Sequence, residues 1–390
     1  MTVPAHGHVN PGLPVVSELV RRGHRVTYAI NDEFAPAVAA TGAEVVGYRS
    51  TVPSESDPTT SWPENDIAAQ RMFLDELVSV TPQVEAAYAG DVPDLVVHDV
   101  CGWHGAVLAA GWDVPAVQLS PTFVPYDGMA EDFGIDLSAP PPPEMAALLA
   151  EFEGFLKARR VGLTPFGIMF GPRRGLVTMP RAWQVRGERV APNYTFVGPG
   201  IREATGTWRP PDGRPVLLVS LGSAYTDKLE FYRRCVTAFG ELDWYVLMSV
   251  GRFVDPAALG PVPPNVEVVR WAPQVDVLAH ASAFLTHAGM GSTMEALSFG
   301  VPMVAVPQAW DQYLNGSRIA QLGVGVHLPV PEATPARLRE AVLHVASDPG
   351  IAARVAAMRR EVHGAGGAVA AADALEAEVA AFARAAPRSG

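Results

Sequence analysis

Cysteine is nearly absent: Cys101 and Cys235 are the only two in 390 residues. They stand far apart with no Cys-x-x-Cys spacing, which argues against a disulfide framework or a thiolate metal site and fits a reducing compartment. Positive charge is scarce too. With 29 Lys and Arg against 41 Asp and Glu, the formal charge is −12. A nucleic-acid binder needs a basic face to neutralise phosphates, so that class is excluded. No run of about eighteen apolar residues occurs, which excludes a membrane-spanning helix. The apolar stretch at Val301–Val306 is cut by Pro302 and Pro307. The first residues lack a basic segment followed by an apolar core and a cleavage site, so no secretory leader is expected and a cytoplasmic location is. Charged residues are only 18% and hydrophobic ones 48%, the reverse of a disordered composition.

What is present reads as two α/β domains. At roughly 150 residues per domain the length suggests two or three, and two fits better because single cores rarely exceed ~250–300 residues. Met1–Pro4 reads as the tail of a strand, Ala5–Asn10 as a polar loop, and Pro11 as the first turn of a helix ended by Gly23. His24–Ile30 is rich in β-branched and aromatic residues and reads as the next strand, completing a βαβ unit. Further strands are expected at Ala43–Tyr48, Asp94–His98 and Ala116–Leu119. Residues 49–66 and 120–144 read as long loops, the first Pro/Ser-rich and mobile. A Gly/Pro cluster marks a linker at 198–214, separating a domain at 1–197 from one at 215–367. In the second domain, strands are expected at Pro215–Ser220, Trp244–Val250, Val266–Val269, Ala283–Thr286 and Met303–Pro307. Residues 368–390 hold an Ala-rich terminal helix, expected to pack back on the first domain. With only about four residues before the first loop, either the chain starts upstream or its first strand is trimmed.

The second half carries the densest motif: Trp271-Ala-Pro-Gln274, then His287-Ala-Gly289-Met-Gly291-Ser292 with Glu295, then Gly300-Val-Pro, then Asp311-Gln312. The segment from His287 to Ser292 joins a strand to a helix. Gly289 and Gly291 let backbone amides approach a ligand, and the helix N-terminus carries about half a positive charge, so a diphosphate is the natural occupant. Trp271 offers a stacking face, Glu295 an acceptor for ribose hydroxyls, and Asp311 with Gln312 a pair of groups for sugar hydroxyls. In the first half, His6 and His8 lie in the loop after the first strand, and Asp99 follows another strand. In an open α/β sheet both loops face the ligand crevice. A histidine is the natural base for an alcohol, and a carboxylate can hold its tautomer.

These motifs, with AHGHVNPGL, PDLVVHD, VLLVSLGSAYT and VPQAWDQYLN, resemble the family 1 glycosyltransferases of the GT-B fold, most of all the bacterial macrolide glycosyltransferases. The resemblance implies two Rossmann-like, doubly wound domains facing an interdomain cleft. It implies that the nucleotide sugar binds the second domain and the acceptor the first. Carried over, Trp271 stacks the uracil, Gln274 lies near the ribose, and Ser223, His287, Gly291 and Ser292 hold the diphosphate. Glu295 takes the ribose hydroxyls, and Asp311 and Gln312 read the hexose. Met290 and Gly291 depart from the plant pattern, which has Trp and Asn there. His8 and Asp99 match the family's base and its carboxylate, with His6 as a neighbour. Trp103, Phe123 and Tyr126 are acceptor-lining candidates. Other aromatics in the first half (Phe73, Phe152, Phe155, Phe166, Phe170) suit either a large apolar site or a core.

The implied reaction moves a hexose, expected to be glucose, from a UDP-sugar to a hydroxyl of a small lipophilic acceptor such as a macrolide, with inversion. No cofactor or metal is expected, no nucleic-acid or membrane partner, and the state is monomer or homodimer. The alternatives are a TDP-deoxysugar transferase of antibiotic biosynthesis and a non-catalytic protein of the same fold. A dinucleotide oxidoreductase is weaker, because Met294 stands where a third glycine would be needed. A metallohydrolase using His6-x-His8 lacks further ligands downstream.

Overall fold

The computed structural model of the chain describes every residue except 55, 56, 58, 59, 61, 64, 137, 201, 202, 310 and 386–390. Parts of the expected 49–66 and 120–144 loops, the linker and the last segment fall outside the described residues, as does Trp310. The chain divides into two compact units, Met1–Gly200 with Ala365–Gly390, and Ile201–Gly364. The expected linker is therefore shared out, residues 198–200 grouping with the first unit and the remainder with the second.

In the first unit β1 (Thr27–Ile30) pairs in parallel with β2 (Glu44–Gly47). β3 (Val96–Asp99), β4 (Ala116–Ser120), β5 (Gly175–Val177) and β6 (Tyr194–Phe196) form a second parallel sheet in that order. The strand expected at Met1–Pro4 is reduced to one residue's worth of ladder. The Met1 nitrogen donates to the Val97 carbonyl at 2.9 Å, and the Met1 carbonyl accepts from the Asp99 N–H at 3.0 Å. The expected loop at Ala5–Asn10 contains a helical turn, His6–Val9. Pro11 does not open the next helix, because Gly12 N–H bonds back to the Val9 carbonyl and closes a turn around it. That helix is Leu13–Arg21, with Pro14 in its first turn. Asp99 is the last residue of β3 rather than the residue after it.

Alternation along β3 and β4 sends side chains to both faces of the sheet. Val117 and Leu119 join Val15, Leu176, Val197, Ala371 and Leu375 in one cluster, with Leu19 and Val97 against it. The helix Trp103–Trp112 packs on β3. Its Trp103 and Val107 enter a different core with Leu74, Leu77, Leu148, Phe152 and Ile168. Helices on both faces make the unit doubly wound. The last helix, Gly367–Ala385, belongs here by packing as well as grouping, since Ala371 and Leu375 are buried beside Val15. Gly366 and Gly367 both take positive φ, 94° and 57°, at its entry. Gly367 N–H bonds the Val197 carbonyl. Arg22 secures the polar edge with bonds to Glu18, Asp373 and Glu376 at 2.7–2.9 Å.

In the second unit six parallel strands run in the order β12-β11-β10-β7-β8-β9. They are β7 (Val216–Ser220), β8 (Tyr245–Ser249), β9 (Val266–Val269), β10 (Ala281–Thr286), β11 (Met303–Ala305) and β12 (Gly325–His327). β7 and β8 are buried throughout, as expected for central parallel strands covered on both faces. The chain builds outward from β7 in one direction and from β10 in the other, so the topological switch point lies between these neighbours. Asp276 fastens the arriving segment, accepting from Thr205 Oγ1 at 2.7 Å, Gly206 N–H at 3.1 Å and Thr207 Oγ1 at 2.5 Å. Among the described residues no helix is long and apolar enough to cross a membrane.

Two outcomes test this arrangement. Leu375→Ala removes a side chain 2% exposed and should lower the first unit's stability by ~2–5 kcal/mol in denaturant unfolding, whereas exposed Val369→Ala should change it by less than ~0.5 kcal/mol. Burial also holds the His98 imidazole down to about 4, against a bond to the Asp99 carbonyl that raises it, and burial holds His104 down to about 3. The unfolded chain protonates both near 6.5, so it binds more protons between these values. This stability is complete above about pH 6.5 and is lost as pH falls toward 4, by roughly 2 kcal/mol per histidine between pH 7 and pH 5. His104 Nε2 is buried without a hydrogen-bond partner, so His104→Phe should flatten the urea midpoint against pH; an unchanged slope would locate the titration elsewhere.

Candidate active site

In the first unit the structure brings His8 and Asp99 together from 91 residues apart. His8 Nδ1 lies 2.8 Å from Asp99 Oδ1. Asp99 is 1% exposed and the His8 side chain 23%. An ionised carboxylate only accepts, so Nδ1 carries the proton of the neutral ring and Nε2 its lone pair. Asp99 Oδ1 also accepts from Cys101 N–H at 2.8 Å. This bond across two residues is a local turn that holds the carboxylate at the end of β3. Sequence reasoning missed Cys101 in this role, although Asp two residues before a helix-entry segment is the signal for it. The His6 ring lies edge-on to Phe34 at 5.0 Å between centroids.

The acceptor candidates separate. Trp103 is 3% exposed, stacks on Phe152 at 5.1 Å and bonds the Val100 carbonyl through Nε1; it is a core residue, not a pocket surface. Phe152 is likewise core. Tyr126 is 8% exposed, and its hydroxyl donates to Asp132. Phe123 is half-buried, and Phe166 and Phe170 are exposed as a tilted pair.

In the second unit the loops after β7 and β10 flank the switch point, where doubly wound sheets take ligands. Ser223 lies in the first of these loops and His287 opens the second. The two loops interlock through glycine. A Cβ on Gly222, at φ +78°, would come within 2.6 Å of His287 Nε2, and one on Gly289 within 2.4 Å. Both glycines are needed to seat the imidazole, so Gly289 serves His287 as much as any ligand. Gly222 escaped the sequence reading; a glycine straight after a buried strand is its only signal. Ala288 between them takes φ +62°, uncommon for a residue with a Cβ. This bend aims the ten-residue helix Met290–Phe299, with Gly289 as its N-cap, out of the sheet edge. Burial holds His287 down to about 4, although the Ser220 carbonyl opposes the shift. The ring is therefore neutral at pH 7 and can donate from one nitrogen.

Along that helix Gly291, Ser292 and Glu295 lie on the accessible face while Thr293, Met294 and Ala296 are buried. Space is open where a Gly291 Cβ would be. Gln274 ties the face together, donating through Nε2 to Ser292 Oγ at 3.0 Å and Glu295 Oε2 at 2.7 Å. Trp271 is 64% exposed just after β9. Asp311 and Gln312 open the helix Asp311–Gln321 and behave differently. Gln312 is buried, and its Oε1 accepts from Gln308 N–H at 2.9 Å and Ala309 N–H at 3.2 Å, which holds the preceding loop. Asp311 is exposed and accepts from Asn315 Nδ2 at 3.3 Å. Among the described residues, one group of side chains has metal-ligand character: His8, Asp99 and Cys101.

The glycine seat gives a direct test. Gly289→Ala forces the His287 ring to move and should cost ~1–3 kcal/mol in thermal or urea unfolding of the second unit. Gly291→Ala, with open space, should leave unfolding unchanged within ~0.5 kcal/mol. Equal losses would mean that His287 is not what the glycine accommodates.

The comparisons with known proteins agree with one another. The family model for the C-terminal domain of erythromycin biosynthesis protein CIII-like proteins matches residues 233–377. Oleandomycin glycosyltransferase of Streptomyces antibioticus is 44% identical over 385 residues, covering 97% of this chain and 90% of the relative. NDP-glycosyltransferase YjiC of Bacillus licheniformis is 39% identical over 389 residues, with 96% of each covered. The crystal structure of the kitacinnamycin glycotransferase superposes with a TM-score of 0.86 at 41% identity, covering 97% of each chain. Likeness at this level along nearly the whole length makes the chain a member of the family 1 glycosyltransferases of the GT-B fold, alongside the bacterial macrolide glycosyltransferases.

Proposed function

We propose that this glycosyltransferase moves a hexose, glucose in the first instance, from a UDP-sugar to a hydroxyl of a small lipophilic acceptor such as a macrolide, with inversion at the anomeric carbon. The observation that carries the proposal is the 2.8 Å contact between His8 Nδ1 and Asp99. An alcohol is a poor nucleophile at neutral pH, and a tautomer-fixed imidazole is the group suited to removing its proton. His8 Nε2 takes that proton as the acceptor oxygen attacks, the bond from the anomeric carbon to the diphosphate oxygen breaks, and UDP leaves from the opposite face. Asp99 stabilises the imidazolium as it forms.

The leaving group's growing charge is the second unit's task. The helix Met290–Phe299 presents its first-turn amides after a bend that shapes the approach. Neutral His287 adds a donor without a fixed positive charge, so its gain is largest as charge develops. These groups meet the diphosphate without calling on a divalent ion, and we propose that none is required. Trp271 would stack the uracil, and Gln274, Ser292 and Glu295 would hold the ribose and diphosphate. Ser223 would add a diphosphate contact and Asp311 would read the hexose. Gln312 would do so through its amide nitrogen, since its oxygen is committed to the loop. The macrolide acceptor is favoured by the name of the 44% identical oleandomycin relative. A TDP-deoxysugar donor is the second reading, favoured by a mycarosyltransferase, demethyllactenocin mycarosyltransferase, at 35% identity.

His8→Ala should lower kcat by about 10²–10⁴, with the Kd for UDP unchanged, as measured by product mass and calorimetric titration in chelator. Asp99→Asn should slow turnover and also leave UDP binding intact. Turnover preserved in His8→Ala would remove the base assignment, and TDP binding tighter than UDP would favour the deoxysugar reading.

A further inference from the structure

We propose that His8, Asp99 and Cys101 form a binding site for a thiophilic divalent cation of the zinc type, and that filling it disables the base. A ring nitrogen of His8, a carboxylate oxygen of Asp99 and Cys101 Sγ all lie within 4.8 Å of one another. Imidazole, carboxylate and thiolate are the three side-chain ligands that zinc takes, and a tetrahedral site with its usual bond lengths separates such donors by ~3.3–3.8 Å. The Asp99–His8 pair starts at 2.8 Å, so small side-chain rotations bring the three into range.

The backbone already prepares the site. The Cys101 N–H is locked onto Asp99 Oδ1 at 2.8 Å, which keeps the thiol beside the carboxylate it must join. Cys101 and His8 are both partly exposed, giving an ion a way in from solvent. His6, edge-on to Phe34, is not a member. Three protein ligands leave a fourth position for water, and the sulfur selects zinc-like ions over magnesium.

The proton balance supplies the inhibition, and this half rests on His8 being the base. The Cys101 thiol releases its proton to solvent, and His8 Nδ1 gives up the hydrogen it shares with Asp99 to bind the metal. The neutral ring then carries its one proton on Nε2, so no lone pair remains for an acceptor hydroxyl. Nothing is oxidised or reduced.

The test uses the full chain, stripped with chelator and titrated with Co²⁺ as an optical probe for zinc. The wild type should bind one Co²⁺ with a thiolate-to-cobalt absorption band that Zn²⁺ displaces. Cys101→Ala and Cys101→Ser should lose the band, with binding weakened at least ~100-fold, since even loss of an outer partner costs 10–100-fold. Cys101→Ala keeps the backbone amide on Asp99, and its turnover in metal is read against its own metal-free rate. It should also retain turnover in Zn²⁺ that silences the wild type, and Mg²⁺ should have no effect on either. No band in the wild type, or a band that survives Cys101→Ala, overturns the site. A band with undiminished turnover in saturating Zn²⁺ leaves the site standing and overturns the inhibition together with His8 as the base. A wild type with no transferase turnover but a Cys101-dependent band would fail the functional reading alone.

Discussion

The proposed chemistry of the first unit hangs on a carboxylate taken out of water at the end of β3. A buried carboxylate is tolerated when it is hydrogen-bonded, and Asp99, at 1% exposure, has its Oδ1 held by both His8 Nδ1 and the Cys101 amide. Because both bonds are obligatory, they fix the ring's tautomer and its direction together. The Asp99 amide is meanwhile held by the Met1 carbonyl. Three chain segments, residues 1–10, β3 and the turn at 100–102, therefore converge on a single side chain. Disturbing any of them re-aims the imidazole.

The second unit solves a different problem by different means. A diphosphate needs many weak donors and no strong fixed charge that would bind substrate and product alike. In the loops after β7 and β10, proposed above to meet the diphosphate, the geometry is set by the backbone: positive φ at Gly222 and Ala288, and glycine faces that admit a bare imidazole. The parallel order of the sheet puts these loops at the switch point. In the proposed reading, specificity for the nucleotide and sugar falls to side chains further out, Trp271, Glu295 and Asp311, on elements that β9 and the two helices already place.

Much of this was legible in the residues, for physical reasons that also explain what was not. Buried parallel strands such as Val216–Ser220 and Tyr245–Ser249 are continuous apolar runs, and nothing else of that length fits them. The terminal helix shows itself by Leu375 and its neighbours at helical spacing. Three-residue strands such as Gly175–Val177 carry too little pattern to announce themselves, and Pro11 looked like a helix start because its turn is closed by a backbone bond that no side chain signals. Trp103 shows the deeper limit. It stood among the acceptor-lining candidates, but the first turn of a helix packed on β3 points inward, and a Trp there is drawn into the Leu74–Phe152 core. His8 and Asp99 were found as residue types at strand ends; their 2.8 Å contact comes from the fold.

The turn that secures Asp99 also places the side chain of residue 101 beside the His8–Asp99 pair. What the carboxylate needs from position 101 is an amide hydrogen, which every residue except proline supplies. The side chain at 101 is thus free of structural duty, yet the turn obliges it to lie next to the dyad. A hydrocarbon or hydroxyl there would be chemically silent. A cysteine is a ligand, and one already paired with an imidazole and a carboxylate by bonds that exist for another purpose. The proposed sensitivity to thiophilic ions rests on the same two hydrogen bonds that orient the ring. It can be removed at residue 101 without touching them, so the two properties are separable in one substitution.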